Sequence, residues 1–120
     1  MRPHISFVTL GVTDLPASTA FYEQIGLQRH PRSNAHITFF EMSGQILALF
    51  GADALAEDAG VQQRSSGFAG MTLAHNVNNE DEVQSLIDRA VDAGGTRLRP
   101  VSEPPWGGQR GYFADLDGNV

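Results

Sequence analysis

Apolar and β-branched residues crowd the stretch from Ile5 to Val12, which reads as a first strand. The rhythm then changes. Asp14 is placed to cap a helix, its carboxylate accepting an N–H of the first turn, and Pro16 is tolerated there because its missing donor costs no helical bond. Ala17, Ala20, Phe21 and Ile25 follow as an apolar stripe until Gly26 stops the helix. Ala35 to Met42 and Gln45 to Phe50 read as two strands joined by a tight turn at Ser43-Gly44. A loop from Gly51 to Gly67 contains a short helix around Asp53 to Ala59.

The same order then returns. Phe68 to Val77 reads as a strand, Asn79 as a helix cap with Glu82 as its capping-box partner, and Val83, Leu86, Ile87, Ala90 and Val91 recur at helical spacing. Gly94-Gly95 ends that helix. Thr96 to Val101 and Gln109 to Asp115 are two more strands, and Asp117-Gly118 is a turn former. Asp14 and Asn79 stand 65 positions apart, so the repeat is one of pattern and not of letters. The expectation is an α+β fold of one domain, residues 1–120, with a first module over about 1–52 and a second over about 67–120. Each helix covers one face of its sheet, and the other faces curl toward a cleft. A returning strand is expected after Gly118, and only Asn119 and Val120 of it are present, so the final strand reads as absent or truncated.

Composition narrows the partners. A net charge of −6 disfavours a phosphate backbone, so nucleic acid is not an expected partner. With no cysteine, disulfides, thiolate nucleophiles and thiolate metal sites are excluded, and the chain suits a reducing, cytoplasmic setting. No apolar run reaches the roughly 18 residues of a membrane span, and the N-terminal stretch reads as a strand, not a signal peptide.

The segment VTLGVTDLPASTAFYEQIGL resembles the opening of the glyoxalase, bleomycin-resistance and extradiol-dioxygenase group, the vicinal oxygen chelate superfamily. The resemblance rests on Val12, Asp14-Leu15, Phe21-Tyr22 and Gly26-Leu27, and on GYFADLDGNV, which is similar to the family's last hairpin with Leu116 in place of its usual proline. Gln45 to Gly51 and Asn76 to Gly95 fit the same pattern. It implies two βαβββ modules forming a curled mixed sheet around a pocket. In metal-dependent members, inward His and Glu side chains hold one divalent ion that stabilises oxyanion charge or activates dioxygen. Carried onto this chain, the first three ligand positions fall on Phe7, near Ala48 and near Met71, none of which suits such an ion. The fourth would follow Gly118. The expectation is therefore no metal and no other cofactor.

The remaining chemistry is modest. His4, His30 and His36 read as solvent-facing. His75 shares a strand face with Met71 and Leu73 by period two, and could act as a base or bond a ligand oxygen. Glu41 reads either as an exposed hairpin residue or as a pocket carboxylate. Tyr22 packs where helix meets sheet. The expected pocket is lined by Phe7, by Phe39 or Phe50, by Met71, Leu73, His75 and Tyr112. Trp106, in its Pro/Gly-rich loop, packs on the core or caps the pocket, and Arg110 meets a surface carboxylate or an anionic ligand group. Two functions follow: a protein that binds a small, partly apolar organic molecule, as the drug-resistance members do, or a lyase or dioxygenase relative with a relocated metal or a metal-free acid–base site at His75 or Glu41. A homodimer is expected, since a small curled sheet has edges to protect.

Overall fold

The computed structural model describes residues 1–64 and 66–120. It is an α+β fold whose elements run β1 (Phe7–Val12), α1 (Leu15–Gln24), β2 (Ile37–Met42), β3 (Gln45–Gly51), α2 (Ala52–Ala59), α3 (Glu80–Asp92), β4 (Thr96–Ser102) and β5 (Arg110–Ala114). The chain divides into two compact units, Met1–Gly67 and Phe68–Val120.

In the first unit, β3 lies between β1 and β2, parallel to the former and antiparallel to the latter. Asp14 caps α1 by accepting the Ala17 N–H at 3.0 Å, and Pro16 sits in the first turn. Strand parity then sorts the side chains. Val8, Leu10, Val12, Leu47, Leu49, Thr38 and Phe40 share one face. Phe21 and Tyr22 of α1 are buried, and the Tyr22 ring lies 5.9 Å from that of Phe40. The Thr19 and Thr38 hydroxyls bond each other at 2.8 Å inside this core. The buried stripe of α1 therefore runs through Ser18, Thr19, Phe21 and Tyr22, while Ala17 and Ala20 face outward, contrary to the apolar count. Two paired hydroxyls are compatible with burial, so polarity alone mis-assigns the stripe.

Phe7, Thr9, Gly11, Ile46, Ala48, Phe50, Ile37, Phe39 and Glu41 occupy the opposite face. Helix α2 approaches one end of it. A Cβ on Gly11 would stand 3.2 Å from the Ala52 Cα and 3.6 Å from Leu55, so the absent side chain lets that helix come close. Beyond β2, Arg29 forms an isolated antiparallel bridge with Phe40, and the His30 N–H donates to the Phe39 carbonyl at 2.8 Å.

In the second unit, β4 and β5 pair antiparallel with two register shifts. Asn79 caps α3 by accepting the Glu82 N–H, while Glu82 accepts from the Asn78 N–H and from the Asn79 amide. Ile87 and Ala90 are buried, and Val91 lies at the exposed margin of the stripe. A Cβ on Gly111 would fall 3.1 Å from Ile87, which places α3 against the Gly111 face of β5. Phe68 to Val77 is not a strand, against expectation. A strand is held by a ladder, and here the Leu73 N–H bonds the Val120 carbonyl at 2.9 Å with no paired strand beyond it among the described residues. No helix among the described residues is long and apolar enough to cross a membrane.

Candidate functional site

The end of the first unit's sheet that α2 leaves uncovered forms an open hollow of about 580 Å³. Phe7 and Phe39 are its apolar floor, their rings edge to face with centroids 6.2 Å apart. Phe7 is 52% exposed, an unusual state for a phenyl group on a sheet. His4, His30, Arg32, Glu41 and Gln45 supply the polar wall.

The backbone explains the wall. The Arg29 bridge continues the sheet by one step, and parity sends Arg29 toward α1, where its Nε donates to Glu23 at 2.8 Å. The next residue, His30, takes the opposite face, beside Phe39. Its Nδ1 accepts the Arg32 N–H at 3.1 Å. The ring proton of the neutral imidazole is therefore on Nε2, which is left as a donor. His4 is exposed, as its sequence position indicates, and His30 is half-buried; that both border the hollow, with Ser6, Arg32, Gln45 and Ile46, was not evident from the sequence.

The expected pocket residues fall in both units. Phe7, Phe39 and Glu41 come together in the hollow, and Glu41 is both exposed and part of its wall. Phe50 shares their face but pairs with Gly11 at the end where α2 packs, so Phe39 and not Phe50 lines the hollow. In the second unit, Met71, Leu73 and His75 are exposed. Arg110 and Tyr112 alternate onto the face of β5 away from α3. Trp106 is 80% exposed, so it is not a core residue, and its ring lies 5.2 Å from the Arg110 guanidinium carbon. Among the described residues Arg110 has no carboxylate within ion-pair distance.

Phe7 and Ala48, two of the positions the family likeness points to for metal ligands, share the sheet face that bears the hollow. A phenyl and a methyl group offer a cation no donor atom, and the Met71 thioether suits only soft metals. These side chains do not fit a hard divalent ion. Among the described residues, no three His, Cys, Asp or Glu side chains are grouped to hold a metal.

A family model described as the Glyoxalase/Bleomycin resistance protein/Dioxygenase superfamily matches residues 4–120. The chain belongs to this superfamily. Among solved structures, it is similar to a glyoxalase-related enzyme from Fulvimarina pelagi, with 45% identity and a TM-score of 0.89 over 98% of this chain and 84% of that one. A glyoxalase/bleomycin resistance protein/dioxygenase from Nocardioides is 29% identical with a TM-score of 0.75, over 99% of this chain and 80% of that one. A lactoylglutathione lyase from Agrobacterium tumefaciens, at 23% identity and a TM-score of 0.72 over 99% of this chain and 90% of that one, shares the fold. No curated protein matches the sequence. The superfamily fold accounts for the repeated order of strand patterns and caps in the two halves.

Proposed function

We propose that this superfamily member works without the usual metal ligands and binds a small, partly apolar organic molecule in the hollow at Phe7 and Phe39. The observation that carries the reading is an exposed aromatic pair ringed by hydrogen-bonding side chains. Desolvating two phenyl faces supplies affinity, while His30 Nε2–H, Arg32, Glu41 and Gln45 supply orientation. The volume of about 580 Å³ lies in the range of small-molecule sites. Binding in the drug-resistance manner needs no reaction, and the apolar side chains at the carried-over ligand positions favour it.

Titration calorimetry tests this with a panel of flat aromatic fragments bearing a hydroxyl, an amide or a carboxylate, each with and without EDTA. At least one fragment is expected to bind with an affinity that EDTA leaves unchanged and Phe39→Ala weakens about tenfold, the loss of roughly 1.4 kcal/mol of apolar contact. Binding abolished by EDTA, or untouched by Phe39→Ala, overturns it.

A second reading has one observation behind it: His30 and Glu41 line the same hollow, a donor and a carboxylate suited to metal-free proton transfer. It predicts that Glu41→Gln abolishes turnover of a bound molecule while affinity stays within about twofold.

A further inference from the structure

We propose that Arg110 and Trp106 form a binding element for a flat, aromatic carboxylate, the guanidinium taking the carboxylate and the indole stacking on the ring. All of its atoms lie in the second unit, whereas the hollow at Phe7 and Phe39 is lined by the first, and both readings assume a small organic ligand.

The first observation is an unmet donor. Arg110 Nη1 is closed off from solvent and has no hydrogen-bond partner among the described residues. A sealed, charged N–H without an acceptor is costly, and an anion is the group that removes the cost. Arg29 and Arg97, by contrast, are paired with Glu23 at 2.8 Å and with Asp88 at 2.5 Å. Arg110 is instead stacked under Trp106.

The second observation is the indole. Trp106 is the only tryptophan and is 80% exposed, so a large apolar ring is displayed where burial would stabilise it. Its loop is anchored at one end by buried Pro104, whose carbonyl accepts the Gly107 N–H at 3.0 Å. Gly107 and Gly108 follow with φ of 90° and 76°, a left-handed backbone that favours glycine and turns the chain from Trp106 into Arg110. Tyr112, two residues along β5 and half-exposed, extends the same face. A planar fork matches a carboxylate with two parallel N–H donors.

Because Trp106 is the sole tryptophan, its emission reports on this element alone. The full chain is titrated with phenylacetate, phenylacetamide, acetate and inorganic phosphate, with excitation at the red edge of indole absorption. Phenylacetate is expected to give a saturable change near millimolar concentration, about tenfold tighter than acetate, phenylacetamide or phosphate. Arg110→Gln is expected to abolish that difference and Arg110→Lys to restore only part of it. Equal responses to phenylacetate and phenylacetamide, a full response to phosphate, or no saturable response to phenylacetate each overturn the proposal, and these comparisons use the unaltered chain. A response to phenylacetate unchanged in a folded Arg110→Gln variant overturns it too. Phe39→Ala leaves this titration unchanged, which separates its failure from that of the hollow.

Discussion

The hydroxyls of Thr19 and Thr38 meet at 2.8 Å in the core of the first unit, and each is satisfied by the other. Thr38→Val strands the Thr19 hydroxyl in an apolar setting and is expected to cost about 1–3 kcal/mol in urea unfolding, whereas the double change to Val is expected to recover most of that loss. The same residue-scale logic explains what the sequence hid. Composition marks Ala17 and Ala20 as the inward residues of α1, but a threonine whose hydroxyl is paired across the helix–sheet boundary buries as readily as an alanine. His30 was hidden differently. Its place in the hollow follows from one bridge, Arg29 to Phe40, which is too short to leave a strand signature. Glu41 stood as an open choice between surface and pocket, and it serves as both, since the hollow is itself open to solvent.

At the scale of elements, local signals were the readable ones. Asp14 and Asn79 cap their helices as their spacing indicates, because a cap is decided within four residues. Asn79→Ala is expected to lower stability by about 1 kcal/mol, measured by thermal or urea unfolding. Strands β2 and β3 were legible from apolar runs broken by Ser43-Gly44. Phe68 to Val77 has the same composition as a strand but lacks a paired strand among the described residues, a property no local pattern contains. Helix α2 matters to the site because it closes one end of the sheet face and leaves the other free. Gly11→Ala drives a methyl against the Ala52 backbone at 3.2 Å, where the neighbour is main chain and not a yielding side-chain tip. That change is expected to cost about 1–3 kcal/mol and to increase amide hydrogen exchange across residues 52–59.

At the scale of the whole molecule, the family match over residues 4–120 fixes the fold, and the side chains on it decide what the fold can do. In both units one face of the sheet is covered by a helix, and the candidate groups lie on the other. Strand β1 is an edge of its three-stranded sheet, and pairing of two copies is the expected protection, so light scattering is expected to return twice the chain mass. The central claim is that the uncovered sheet end at Phe7 and Phe39 takes a small, partly apolar molecule. Backbone amide chemical shifts recorded during titration with the aromatic fragment panel test it most directly. The account predicts saturable shifts concentrated at Ser6, Phe7, His30, Phe39, Glu41, Gln45 and Ile46. Saturable shifts confined to other residues, or none at these positions with any fragment, would contradict it.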